Sequence, residues 1–595
     1  MAVQTATTVV EAFLTTVDRK PGDVALRTKE DEVSITWAQW RDRSSALAGG
    51  LQSIGLERGQ NVGIMLGNRP EFHLVDVAVV FAGGTPFSIY QTSSPEQISY
   101  LVTDAEARIL ITEPVFLDTV LKARGELPNV EHIVVVEPEG DLPEGCMSLA
   151  DLEARGADAG FDLEAAVAGL KPEDILTLIY TSGTTGPPKG VQLSHHNLLS
   201  AVSAIETMVE FGEDDRVISW LPSAHIAERA AHHYLPIVYG IQVTSCPDPK
   251  QIVGYLPAVQ PSWFFAVPRI WEKLKAGLEA MAASQPEEKR AAMEGALEAA
   301  KQKVRLEQAG EPVPDELAAA VAQADEQVFS GIRQMLGFSN IKAVNVGAAP
   351  TPVEVIEFFH AIGVPVAEIW GMSETCGAGA ANRPGRIKIG TVGEPAPGFE
   401  IKLAQDGEVL VRADAVMTGY RNMPEKTAEA IDSEGWLHTG DIGEFDEDGF
   451  LKIVDRKKEL IINAAGKNMS PANIEATVKS SSPLIGQAYV IGDARPYNTA
   501  LLVLDADFAP MWAQQQGIED TSLESLAQND KLRAAVQEAV DAANAKLSRV
   551  EQIKTFTIVQ GDWLPGGDEL TPTMKLKRRP IGDKYAEAIE AMYAG

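Results

Sequence analysis

A chain of 595 residues, 45% hydrophobic and 23% charged, exceeds what one core ordinarily supports and has the composition of a globular enzyme, so at least two domains are expected and disordered or fibrous classes are excluded. The formal net charge of -33 argues against nucleic acid and anionic lipid as partners, because both surfaces repel such a protein at long range. Cys146, Cys246 and Cys376 are far apart and form no CxxC pair, which argues against a disulfide framework or a cysteine zinc site and fits a reducing cytoplasm.

The first segment, MAVQTATTVVEAFLTTVDRK, lacks a basic region followed by a long apolar stretch. Nowhere does the chain reach the roughly 18 uninterrupted apolar residues of a membrane span. A cytoplasmic protein with at most peripheral membrane contact is expected. Apolar runs then recur between helical patterns: NVGIML from Asn61, RILIT from Arg108, HIVVV from His132, ILTLIY from Ile175, VISWL from Val217, WFFAV from Trp263 and IKAVNV from Ile341. This alternation predicts an α/β protein with buried sheets covered by helices. Residues 272–336, rich in Ala, Glu, Lys and Gln, predict an inserted helical hairpin that reads as a solvated appendage. From Phe399 the segments EIKLA and EVLVRA, separated by Asp406 and Gly407, predict a hairpin and a small β-rich module over 399–454. Beyond it, QAYVIG, ALLVLD and TFTIV interleave with helices, one of them near Asp530 to Leu547, and predict a compact α+β domain starting near Asp455.

The densest chemical signal is Tyr180-Thr-Ser-Gly-Thr-Thr-Gly-Pro-Pro-Lys-Gly190, between an apolar strand and the helical HHNLLSAV. Its glycines let backbone approach phosphates, its hydroxyls and amides donate, and Lys189 adds charge. It is not a Walker A sequence, because Gly190 and Val191 follow the lysine, so kinases and P-loop ATPases are disfavoured. Further on, Gly347, Ala348, Ala349 and Pro350 follow an apolar run with small residues and leave room for a flat ring. After Ile369, Trp370, Gly371 and Met372, Ser373 can donate to a phosphate and Glu374 can hold a hard cation such as Mg²⁺. Asp441 beside Gly440, read alone, is a turn residue, and the basic run Lys575, Lys577, Arg578, Arg579, read alone, is a solvated face.

These stretches, in order and spacing, with Gly435-Trp-Leu-His-Thr-Gly-Asp441, Asp455-Arg-Lys-Lys-Glu459 and Pro572-Thr-Met-Lys575, resemble the adenylate-forming superfamily over nearly the whole chain. The block Glu434 to Glu459 is close to the signature of fatty-acyl-CoA synthetases. The resemblance implies a large N-terminal region (1–454), a hinge (455–458) and a mobile C-terminal lid (459–595). It also implies ATP, Mg²⁺, a fatty acid of medium to long chain, and coenzyme A. In the roles so implied, Thr181, Ser182, Gly183, Thr184, Thr185, Gly186 and Lys189 hold phosphates. Gly347, Ala348, Ala349, Ile369, Trp370, Gly371, Met372 and Ser373 line the nucleotide. Asp441 and Arg456 take the ribose, Glu374 the metal, and Lys575 is the catalytic lysine. Lys458 is the pivot, His225 in LPSAHIAE lies near the acyl pocket, and Gly466 in AAGKN borders the CoA channel. Trp370 stands where a tyrosine is commoner and is expected to pack beside the adenine. Competing expectations are a fatty-acyl-AMP ligase that loads a carrier protein, a ligase for aryl acids, a luciferase-like oxygenase, and a binding protein that has lost its chemistry.

Overall fold

The computed structural model describes residues 6–181, 187–206, 209–212, 214–462 and 468–594. Each of the seven apolar runs contributes a strand. Six of them, Asn61–Met65, Ile109–Thr112, His132–Val135, Arg216–Ser219, Trp263–Ala266 and Ala343–Val346, lie in parallel pairings, which suit strands that are apolar throughout, and Ile175–Thr181 has one parallel and one antiparallel neighbour. The largest sheet has eight strands in the order Gly419–Tyr420, Lys189–Ser194, Ile175–Thr181, Thr85–Ser88, Asn61–Met65, Ile109–Thr112, His132–Val135, Cys146–Ser148. A five-stranded sheet runs Trp263–Ala266, Ala343–Val346, Val366–Gly371, Gly379–Ala381, Glu394–Pro395. A four-stranded sheet holds Arg216–Ser219, Gln242–Ser245, Val24–Thr28 and Ser34–Thr36.

The helix Pro70–Phe81 is buried on every side, yet it contains His73 and Asp76. Arg229 pairs with one oxygen of Asp76, and His233 approaches the other at 3.0 Å, so the carboxyl stays below its ordinary pKa although burial pushes the other way. Tyr234 Oη and Ser88 Oγ also accept from Arg229, at 2.8 and 2.9 Å. This knot ties the helix to the segment Ala230–Tyr234, a π-turn between the helices Ile226–Arg229 and Leu235–Tyr239.

The expected helical insertion is more than a hairpin and is no loose appendage. It consists of the helices Pro268–Ala283, Glu287–Gln308, Asp315–Ala324 and Ser330–Met335, and it begins at Pro268, whose fixed φ suits a first helical turn. Trp271, Leu274, Leu278, Ala300 and Val304 are buried, and Arg305 forms a two-pronged ion pair with Glu357. The predicted hairpin is present, with Glu400–Leu403 antiparallel to Glu408–Arg412 and Gly407 at φ 84 in its turn. The small sheet continues through Leu437–Phe445 to Leu451–Arg456, two residues past the expected end at 454. Gly419–Tyr420 leaves this module and joins the edge of the eight-stranded sheet.

The last apolar core of the large region ends at Leu451, and the next begins at Ile461. The C-terminal sheet orders Ile485–Ile491, Asn498–Leu504 and Ile553–Ile558. Its central strand is buried throughout because it serves two cores: Ala500, Leu502 and Leu504 face one, while Leu501 and Val503 face the other. Asn529 caps the helix Asp530–Lys546. Among the described residues no helix is long and apolar enough to cross a membrane.

Candidate active site

The glycine and hydroxyl segment is flanked by two antiparallel strands. Thr181 pairs with Lys189 at the end of the antiparallel strands Ile175–Thr181 and Lys189–Ser194, and the helix His195–Glu206 begins only after the second strand. The expected helix HHNLLSAV is present as His195–Glu206, with the strand Lys189–Ser194 before it. Ser182, Gly183, Thr184, Thr185 and Gly186 lie outside the described residues, as does Gly466. The flank is anchored by Tyr100, whose hydroxyl donates to the Pro188 carbonyl at 2.9 Å.

Gly419–Tyr420, pairing with Gln192 and Val191, brings a residue that sequence reading missed. Tyr420 Oη donates to Glu374 Oε1 at 2.7 Å, and the Lys189 ammonium lies 3.9 Å from the centre of the same ring. Burial lowers the pKa of Lys189 while the charge of Glu374 opposes the shift. Nothing local marks Tyr420, because it acts through a pairing across distant sequence. Glu374 itself is buried on the short 3-10 turn Ser373–Thr375, and its carbonyl accepts from Met417 N–H.

Gly347 ends the strand Ala343–Val346 against the next strand: a Cβ there would lie 2.9 Å from the Ile369 carbonyl oxygen, too close to tolerate. The exposed Ala348 that follows has φ 69, a left-handed conformation that costs a residue with a side chain and tends to mark functional sites. Ala349 is exposed beside it. Gly371 is equally constrained, since a Cβ would meet the Gly377 carbonyl at 2.3 Å. Met372 leads from this strand into the turn of Ser373 and accepts from Thr375 Oγ1 through its carbonyl. Trp370 Nε1–H donates to Asp441 Oδ2 at 2.8 Å, a bond the sequence did not foretell. Arg456 lies directly across the sheet from Asp441, and its Nε is 2.8 Å from Oδ1. Burial raises the pKa of Asp441, opposed by Arg456, Trp370 and Lys575.

Lys575 comes from the C-terminal domain on a tight turn. Its N–H donates to Thr571 Oγ1 at 3.0 Å, and Met574 just before it has φ 65. Lys575 is exposed, yet protein surrounds its ammonium closely enough to lower its pKa by desolvation, an effect deepened by Arg456 and opposed by Asp441, Glu374 and Glu459. His225 belongs to the same neighbourhood. Burial chiefly, and Lys575 secondarily, push its pKa down to about 4, while its Nδ1 accepts from Ala227 N–H and caps the helix Ile226–Arg229. Lys458 is exposed in the turn after Arg456. Asp455, another residue not foreseen, accepts from Ser470 Oγ at 2.6 Å and Ala472 N–H at 3.2 Å, so it binds the residues on the far side of that turn.

Two domains with separate cores, and a lysine of the smaller placed among carboxylates of the larger, define an adenylate-forming architecture. Solved structures share it. The chain superposes on the anthranilate CoA ligase AuaEII with a TM-score of 0.75, covering 99% of this chain and 100% of that one at 21% identity. The adenylation domain of a carboxylate reductase from Mycobacterium chelonae gives a TM-score of 0.78, covering 100% and 92% at 19% identity. The chain belongs to the AMP-binding enzyme family: the family's model matches residues 13–421, and the model of its C-terminal domain matches 458–595. Among relatives, the protein fadD11 of Mycobacterium tuberculosis, named as a fatty-acid–CoA ligase, is 52% identical over 451 residues, 76% of this chain and 79% of its own. The long-chain-fatty-acid–CoA ligases FadD15 of Mycobacterium bovis (36% identity, 94% of this chain and 92% of its own) and ACSBG2 of Xenopus laevis (32%, 98% and 84%) are also similar.

Proposed function

We propose that the protein is a fatty-acid–CoA ligase acting on medium to long chains, in two half-reactions. The observation that carries this reading is the convergence of Lys575, from the smaller domain, with Glu374, Asp441 and Arg456 of the larger. The names of the relatives support fatty acids as the substrate class. In the first half-reaction a carboxylate oxygen of the acid attacks the α-phosphorus of ATP and pyrophosphate leaves. Lys575 offsets the negative charge gathering between acid and phosphate. Asp441 and Arg456 hold the ribose, Trp370 and the segment Gly347 to Ala349 flank the base, and Lys189 with Thr181 to Gly186 holds phosphates. In the second the CoA sulfur attacks the acyl carbon and AMP leaves, after residues 459–595 have turned about Lys458 and brought Gly466 to the thiol. Activation comes first because AMP leaves far more readily than oxide from a carboxylate.

A divalent ion fits beside Glu374. The described residues hold no group of three acidic, His or Cys side chains that could hold a metal, but Mg²⁺ needs few protein ligands when substrate phosphates supply oxygens. Glu374 is a buried carboxylate held by Tyr420 close to Lys189, which suits that arrangement. When bound, the ion would draw charge from the phosphates.

The test measures pyrophosphate release and thioester formation over saturated acids of graded length, with an aryl acid alongside. Both products are expected, with a maximum among medium or long chains. Turnover of the aryl acid alone would overturn the substrate class, and adenylate formation without CoA transfer would favour a carrier-loading ligase.

A further inference from the structure

Trp370 does more than its place beside the nucleotide requires. Its Nε1–H occupies Asp441 Oδ2 at 2.8 Å while Arg456 Nε occupies Oδ1 at the same distance. The two donors reach the carboxylate from different sheets, Trp370 from Val366–Gly371 and Arg456 from Leu451–Arg456. Asp441 is only 5% exposed, and a buried carboxylate keeps its charge only when its oxygens are satisfied. A carboxylate offers about four lone-pair sites, so roughly two remain for hydroxyls of a ligand.

The indole is itself fixed. Trp370 pairs with Ala380 on the adjacent antiparallel strand, beside the pair Gly371 and Gly379. A Cβ on Gly379 would lie 2.8 Å from Cε3 and 2.9 Å from Cζ3 of the indole, and 2.9 Å from the Trp370 carbonyl oxygen. The six-membered ring thus rests against bare backbone. Gly379 is not among the residues with positive φ, so the position excludes a side chain because of this contact and not because of its backbone conformation.

We infer that Trp370, seated on Gly379, is a positioning residue that aims the Asp441 carboxylate at the ribose hydroxyls of the nucleotide. This rests on the reading of Asp441 as the ribose contact. An aromatic face beside the base would be served by phenylalanine as well; the N–H is what reaches Asp441.

Equilibrium binding of ATP and of 2′,3′-dideoxy-ATP to the full-length wild type, Trp370→Phe and Gly379→Ala tests it. Wild type is expected to prefer ATP by about tenfold or more, the size of a hydrogen bond to a charged group. Trp370→Phe should weaken ATP by about tenfold and leave dideoxy-ATP within about twofold of wild type, so that most of the preference disappears. Gly379→Ala should do the same by displacing an intact indole. Equal weakening of both nucleotides in the two variants would overturn the inference and make Trp370 a packing or base contact only. A wild type that does not distinguish the nucleotides would instead remove the ribose reading of Asp441 beneath it. Should Trp370→Phe fail to fold, Gly379→Ala decides alone, because it retains the tryptophan.

Discussion

Lys575 stands where its own charge is disfavoured, which makes it sensitive to pH. Its pKa is lowered from the ordinary lysine value of 10.5, chiefly by desolvation, with Arg456 adding to the shift and Asp441, Glu374 and Glu459 resisting it. The protonated form is the one that can neutralise a reacting phosphate, so acyl-AMP formation should decline as pH rises through a value below 10.5. Lys575→Arg should move that alkaline limb upward, since guanidinium keeps its proton. Lys575→Ala should slow acyl-AMP formation by about 100- to 1000-fold, or about 3 kcal/mol, while supplied acyl-AMP still reacts with CoA and the Tm barely moves. Equal loss in both half-reactions of a folded variant would defeat the assignment. At Glu374 the outcome depends on a neighbour. Glu374→Gln should raise the Mg²⁺ concentration needed for adenylation. Tyr420→Phe, which removes the hydroxyl bonded to Oε1, should do so more weakly; an unchanged Mg²⁺ dependence in both would take the metal away from this carboxylate.

Strands were the most legible elements, because a strand buried on both faces must be an apolar run, and Asn61–Met65 or Trp263–Ala266 can be read from composition alone. Partnerships between distant segments were not legible. The helix Pro70–Phe81 carries Asp76 inside the protein only because Arg229 and His233 meet it there, and Tyr420 reaches Glu374 only because a two-residue strand crosses to another sheet. The site follows the same rule: the motifs announced Lys189, Glu374, Asp441, Arg456 and Lys575, but not Tyr420, Gly379 or Asp455, whose value lies in contacts. Asp455 bears on the turn at Lys458. It binds Ser470 Oγ and Ala472 N–H across that turn, so the proposed rotation about Lys458 would have to break or carry these bonds. Lys458→Pro, by fixing φ, should spare acyl-AMP formation and slow thioester formation. Asp455→Asn, by weakening the tether, should act oppositely and slow adenylation more than transfer. Separate assays of the two half-reactions would show this, and parallel changes in both steps would place the pivot elsewhere.

At the scale of the whole molecule, the domains meet through charged contacts that leave the cores apart. Arg269 pairs with Asp505, Lys273 with Asp507 at 2.9 Å, and Lys546 with Glu354 at 2.6 Å. Such pairs are each worth about 0–1 kcal/mol, too little to hold a fold but enough to bias two arrangements of similar energy. Arg269→Gln with Lys546→Gln should leave the Tm nearly unchanged yet slow acyl-AMP formation about two- to fivefold relative to thioester formation, and high salt should move wild type the same way. A ratio indifferent to both would make the contacts incidental. The crossing strand Gly419–Tyr420 also governs how the protein is born. It covers Lys189–Ser194, the strand next to it at the rim of the eight-stranded sheet. Roughly 230 residues separate the two in sequence, which is about 10 to 50 seconds of translation. Until residues 419 and 420 have been made, the backbone of Lys189–Ser194 lacks its partner on that side, and an unpaired sheet edge is the kind of surface other chains adhere to. Synthesis is thus the interval in which this edge stands open to wrong partners.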